Sequence, residues 1–249
     1  MIIRLSRTPY DGPTNDDVPT MIIAEIFQSI QGEGKLAGVP SVFVRTTGCN
    51  LRCTWCDTPY TSWEPEEGET LGAAAIVARV KQFRGKHVVL TGGEPMIAPD
   101  IAEVAQSLSA AGYHVTIETA ATVWQQVSCD LASISPKLSN STPWLRDGGR
   151  WAESHEKNRI NVDAIKRFIA LGDHQLKFVV HRPDDLAEID DLIAELDTVD
   201  PSNVLLMPEG VTKEELDARA GWIVDLCKER GFRFCPRLHI ALFGNKRGT

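Results

Sequence analysis

No stretch of the chain comes near eighteen uninterrupted apolar residues, so nothing in it reads as a membrane-spanning helix. The opening MIIRLSRTPYDGPTNDDVPT has no apolar core of the kind a secretory leader needs. Positive charge is short as well. Against 34 Asp and Glu there are 26 Lys and Arg, a formal net charge of −8. Binding a nucleic-acid backbone takes clustered basic groups, so the chain is not expected to contact nucleic acid directly. These absences read as a soluble cytoplasmic protein, in a compartment where thiols stay reduced. Cysteine is also sparse, six in 249 residues, with one C-x-x-C and no H-x-x-x-H. A structural zinc site takes four protein ligands, normally two separated pairs, and that pattern is missing.

Half of the cysteines nevertheless stand together. In GCNLRCTWCDTPY (48–60), Cys49, Cys53 and Cys56 are spaced C-x-x-x-C-x-x-C. A dithiol redox site would use two of them and leave the third unexplained. A [4Fe–4S] cluster normally takes four thiolates, so three leave one iron open to a ligand from outside the protein. That pattern suggests a cluster that takes part in chemistry rather than one that only carries electrons. Cys129, Cys227 and Cys235 are scattered, and all three are expected to be buried structural thiols.

The first twenty residues, rich in Pro, Gly and Asp, are expected to form an extended arm, with a single domain over 21–249. Segments 22–30 and 41–47 read as strands around the glycine-rich QGEGKLAG. From Thr70 a regular alternation is expected. A helix capped by Thr70 runs to about Phe83, followed by strand HVVL and a helix ended by Gly112. Strands HVTIET and LASIS come next, then an irregular stretch from about 136 to 158. Helices 161–171, 184–197 and 212–230 alternate with strands QLKFVV, NVLLM and FRFCP. Such β-α alternation predicts an α/β fold with parallel strands, and an incompletely closed (β/α) barrel over a doubly wound sheet. The three cysteines, TGGEP (91–95), SPK (135–137) and MPEG (207–210) all follow expected strands, at the end where such folds carry their sites.

The cysteine spacing, with Trp55 before the last thiol, resembles the signature of radical S-adenosylmethionine (SAM) enzymes, and TGGEP resembles that superfamily's Gly-Gly-Glu-Pro motif. EIFQSIQGEGKLAGVPSVFVRTTGCNLRCTWCDTPY then resembles, over its whole length, the 7-carboxy-7-deazaguanine synthase family of the queuosine and 7-deazapurine pathway. IET, SPK, LKFVV and MPEG follow in the family's order, with Ala120 where the family has Asn.

The resemblance implies a partial barrel and a reaction from 6-carboxy-5,6,7,8-tetrahydropterin to 7-carboxy-7-deazaguanine with loss of ammonia. It implies three cofactors: a [4Fe–4S] cluster on Cys49, Cys53 and Cys56, SAM, and Mg²⁺ at Thr58. SAM would lie against Trp55, Cys56, Asp57, Gly93, Ser135, Pro136, Lys137, Met207, Pro208, Glu209 and Gly210. The pterin would meet Ile30, Gln31, Gly32, Arg45 and Thr91, with Arg45 and Gln31 closest to the chemistry. A guanidinium can hold a carboxylate through two parallel bonds, which suits Arg45. Thr58 suits Mg²⁺, which keeps most of its ligands from water and substrate. His239 is the one histidine singled out near the pterin. An external one-electron donor such as flavodoxin and a homodimer are implied too. Two rivals remain: an activase of glycyl-radical enzymes, whose substrate is a protein, and an iron–sulfur electron-transfer module without SAM chemistry.

Overall fold

Residues Met21–Ile30 form strand β1, which pairs antiparallel with β2 (Pro40–Thr46) across the glycine-rich turn. A short strand, β3 (Glu69–Leu71), covers the outer edge of β1. Every later pairing is parallel. β2 is followed by β4 (His87–Gly92), β5 (His114–Thr119), β6 (Leu131–Ile134), β7 (His174–Val180), β8 (Val204–Pro208) and β9 (Arg233–Phe234). The sheet order is β3-β1-β2-β4-β5-β6-β7-β8-β9, so it is open, and the curved sheet is a partial barrel. The computed structural model describes residues 21–65 and 68–249, and the arm expected over 1–20 lies outside them.

Parallel neighbours need crossovers, and helices supply them. The described helices are α1 (Pro59–Ser62), α2 (Ala73–Val80), α3 (Ile101–Ala110), α4 (Ala152–Asn158), α5 (Val162–Ile169), α6 (Asp185–Glu195), α7 (Lys213–Arg230) and α8 (Leu238–Phe243). Their starts and stops follow local chemistry. In α7 the Thr212 side chain accepts from the Glu215 amide, and the Glu215 carboxylate accepts from the Thr212 amide. Gly231, at φ 70°, ends the same helix in the left-handed region that glycine enters without strain. No described helix is long and apolar enough to cross a membrane.

Three expectations change. Thr70 caps no helix, because Ile22 pairs with it across β1 and β3, and α2 begins after Gly72. The stretch expected to be irregular holds α4, and α8 follows the last strand unannounced. The two strands expected around the glycine-rich segment form an antiparallel hairpin ahead of the β-α alternation.

Alternation along each strand decides the rest. Val42, Val44, Val88, Leu90, Val115, Ile117, Leu176, Phe178, Val204 and Leu206 point outward and form the main core with the helices. Their neighbours Arg45, Thr91, Glu118, Ser133, Lys177 and Met207 point into the lumen and line its cavities. The register sets Arg45 beside Thr91 and Glu118 beside Ser133, so polar groups of different strands share one level.

Candidate active site

The cysteine loop leaves β2 and crosses the mouth of the lumen, where it meets the TGGEP turn after β4. The contact is very close. A Cβ at Gly93 would stand 2.2 Å from the Gly48 carbonyl oxygen and 2.8 Å from Cys49 Cβ, so glycine is required there. The Glu94 amide donates to that same Gly48 carbonyl at 2.9 Å. The fully buried Glu94 carboxylate accepts from Thr119 Oγ1 (2.6 Å), the Ala120 amide (2.8 Å) and the Met96 amide (3.0 Å). Burial raises its pKa above the ordinary carboxylate value. This motif therefore ties the cysteine loop to the end of β5.

Beneath that joint lies a cavity of about 160 Å³ lined by all three thiols, Trp55, Asp57, Thr58, Gly93, Ser135, Lys137 and Met207. Burial pushes the Cys49 thiol up to about 11 and Cys53 up to about 12, and it raises Cys56 too. Unligated, such thiols are protonated and poor nucleophiles, so a bound metal must displace their protons. Among the described residues, no group of three or more His, Cys, Asp or Glu side chains is placed to hold a single metal ion. Three thiols around one shared cavity fit a multi-iron cluster with an open iron better than a lone metal. Lys137 Nζ donates to the Ser135 carbonyl (2.6 Å) and hydroxyl (2.8 Å), and it lies 5.9 Å from the centre of the Trp55 ring. Pro136, Pro208, Glu209 and Gly210 stand behind the lining. Glu209 is paired with His181 (2.7 Å) and Arg219 (3.1 Å), and the Gly210 carbonyl accepts from Arg237 at 2.5 Å.

A second cavity, about 360 Å³, opens beside the first and shares Glu33, Asp57, Thr58, Thr91, Gly92 and Glu118 with it. Ile30, Gln31, Gly32, Arg45 and Thr91, chosen from sequence, all line it. So does His239, which packs against Gly32: a Cβ there would lie 2.0 Å from its Nδ1. Burial lowers the His239 pKa and favours the neutral ring. Arg45 Nε donates to Glu25 Oε1 at 2.8 Å, and its guanidinium lies 5.7 Å from the centre of the Phe27 ring. Glu25 also accepts from Tyr60 (3.1 Å) and from Arg247 of the C-terminal tail (3.0 Å), so strand, loop and tail meet at one carboxylate. Cys227 and Cys235 are buried as expected, but Cys129 is only partly so.

Glu33, Glu118, Lys177 and Arg237 were not singled out from sequence, and they join residues that were. Buried Gln31 donates from Nε2 to Glu118 Oε1 at 2.9 Å. Glu33 is ion-paired to both Lys177 and Arg237, and Arg237 pairs in turn with Asp57. Burial alone would raise the Glu33 carboxyl, but Lys177 and Arg237 outweigh it and hold the group well below the usual range. Burial would likewise lower Lys177, and Glu33 and Glu118 reverse that. A depressed carboxylate stabilises the fold above its unfolded pKa and loses that contribution as pH falls toward the folded value. Wild type should therefore exceed Glu33→Gln in stability at neutral pH. The gap should shrink below about pH 4.5, the ordinary value for the group. Urea midpoints of both proteins across the acid range measure it, and a constant gap would contradict the charged state of Glu33.

Residues 43–133 match the family model described as the Radical SAM superfamily. The chain is 47% identical to 7-carboxy-7-deazaguanine synthase of Halobacterium salinarum, over 97% of this chain and 98% of that one. It is 45% identical to the Rhodopirellula baltica protein of the same name, over 98% and 94%. The crystal structure of QueE from Escherichia coli superposes with a TM-score of 0.65 at 27% identity, covering 87% of this chain and 93% of that chain.

Proposed function

Because the chain belongs to the 7-carboxy-7-deazaguanine synthase family of radical SAM enzymes, we propose that its paired cavities convert 6-carboxy-5,6,7,8-tetrahydropterin into 7-carboxy-7-deazaguanine with release of ammonia. The observation that carries this reading is the adjacency of a three-thiol cavity and a polar cavity headed by an arginine, with six residues common to both. When bound, the cluster and SAM supply a carbon radical able to take hydrogen from an unactivated position.

The chain's own groups do the rest. The Nε of Arg45 is taken by Glu25, while its two terminal nitrogens have no partner among the described residues. They can grip the substrate carboxylate as a pair, fixing one hydrogen toward the cluster side. Gln31 and Glu118, already bonded to each other, offer donor and acceptor to the pterin edge. Thr91 and the backbone of Ile30 and Gly32 complete that wall. Trp55, Cys56, Asp57, Gly93 and the segments Ser135–Lys137 and Met207–Gly210 would hold SAM, with Pro136 and Pro208–Gly210 acting from behind the lining. Mg²⁺ would take the Thr58 hydroxyl together with substrate and water oxygens. A flavodoxin-type donor, a homodimer and a cytoplasmic setting complete the reading, on family resemblance.

Anaerobic incubation with the pterin, SAM, Mg²⁺ and reductant, followed by mass analysis of product, tests the reaction. Arg45→Lys tests the grip, since it keeps the charge and loses the planar fork. Turnover should fall by roughly tenfold or more, matching the loss of one charge-assisted hydrogen bond at about 1.5–3 kcal/mol. Cluster content and uncoupled SAM cleavage should persist. Normal turnover in that variant would remove Arg45 from the substrate site.

A further inference from the structure

The crossover from β6 to α5 grips the cysteine loop as well as joining its two neighbours. Three donors of the loop end on it. The Arg52 amide donates to His155 Nδ1 at 3.1 Å. The Thr54 amide donates to the Ser141 carbonyl at 2.7 Å. The Trp55 indole donates from Nε1 to Asn140 Oδ1 at 3.2 Å. Arg52 and Thr54 stand on either side of Cys53, the most buried of the three clustered thiols.

His155, on α4, is itself buried. A ring nitrogen that accepts an amide proton carries none of its own, so Nδ1 is bare and Nε2 holds the proton. Nε2 donates to Ser141 Oγ at 2.9 Å, and that hydroxyl donates in turn to the Leu138 carbonyl at 2.6 Å. Every donor in this row has an acceptor ahead of it, which fixes both the tautomer and the orientation of the ring. Burial pushes its pKa down to about 4, so the ring is neutral at neutral pH. The crossover is fastened too. Arg159, just after α4, donates to the Lys137 carbonyl at 3.1 Å, pairs with Glu156 at 2.8 Å, and pairs with Glu188 of α6.

His155 lines neither cavity, so any effect it has on the site passes through Arg52. The Leu51 amide donates to Cys49 Sγ at 3.4 Å. The next amide along the chain is that of Arg52, and the imidazole claims it instead. Groups that orient metal ligands from behind typically change metal affinity or activity about 10–100-fold when removed.

We propose that His155 is a positioning residue for the iron–sulfur cluster, holding the Arg52 amide so that the backbone between Cys49 and Cys53 turns both thiols to their shared cavity. The proposal rests on the radical SAM reading above. With the imidazole gone, the Arg52 amide is free to donate to a cluster sulfur.

Three variants separate positioning from packing. His155→Asn sets an amide oxygen near the place of Nδ1 and keeps an acceptor for Arg52. His155→Gln sets an amide nitrogen near the place of Nε2 and keeps only the donor to Ser141. His155→Phe keeps neither. After anaerobic reconstitution, iron release to a chelator should be roughly tenfold faster or more in His155→Gln and His155→Phe, and near the wild-type rate in His155→Asn. The cluster's midpoint potential, followed by electron paramagnetic resonance, should rise in the same two variants, because a hydrogen bond to sulfur favours the reduced form. If His155→Phe fails to fold, the comparison of His155→Asn with His155→Gln still decides. Equal iron release and equal potential in those two would make His155 a packing residue and overturn the proposal. A wild-type protein that takes up no cluster would instead overturn the radical SAM reading on which it rests.

Discussion

Alanine at Cys49, Cys53 or Cys56 will leave a protein that folds but carries no oxygen-labile cluster and cleaves no SAM. Each of the three thiols faces the same cavity of about 160 Å³, and none has a spare neighbour to replace it. Burial keeps all three protonated without metal, so two remaining thiols cannot compensate by becoming better ligands in the free protein. The controls are Cys129→Ala, Cys227→Ala and Cys235→Ala, which should keep the cluster's absorbance. Cys235 is the sternest of them. It packs with Val179, Leu205 and Met207 in the lumen, and its Sγ accepts from the Gly34 amide at 3.1 Å. Burial pushes its thiol up to about 12, and it does not line the cavity of the other three. Iron and sulfide analysis after anaerobic reconstitution, read beside the absorbance, measures the result. A cluster lost with Cys235→Ala would mean four protein ligands, and the open iron would be gone.

Sequence spacing revealed those three thiols because they lie within eight residues on one loop. The strand alternation was equally plain, since buried parallel strands read as short apolar runs. What stayed hidden depends on long-range pairing. Lys177 sits in the apolar run LKFVV and reads as part of a strand, yet its alternation places the ammonium in the lumen against Glu33, 144 residues away. Glu118 belongs to the same inward row. Alternation inside strands assigned from sequence would have flagged both as lumen charges, had the polar positions been followed as closely as the apolar ones. Thr70 misled because a cap-type residue before an apolar run also fits an edge strand, and pairing with β1 decided the matter. Arg237 left no local mark at all: its partners Glu33 and Asp57 lie 204 and 180 residues away.

Arg237→Met should be the most damaging change outside the cysteine loop. Its guanidinium joins Glu33 of the pterin-side turn, Asp57 next to Cys56, and the Gly210 carbonyl after β8. Three loops from opposite sides of the open barrel thus converge on one planar cation. Its side chain is only 7% exposed, and burial would lower its pKa, but Asp57 and Glu33 raise it instead. Methionine keeps much of the volume and leaves two carboxylates with one fewer cation. Breaking a buried pair costs about 3–5 kcal/mol, and the lower end applies because Lys177 still pairs Glu33 and Asp57 is partly solvated. For a chain of this size that lowers the melting temperature by roughly 6–12 °C. Turnover should fall further than stability alone explains, since the pterin turn and the cysteine loop lose their common anchor. Arg237→Lys can reach one partner at a time and should recover stability better than turnover. Adding Glu33→Gln to Arg237→Met should cost less than the sum of the two single changes, because the second mutation removes a carboxylate the first had stranded. Melting curves and steady-state rates on these four proteins and wild type decide the matter. Strict additivity, or an Arg237→Met enzyme that melts and turns over like wild type, would show that the anchor holds nothing.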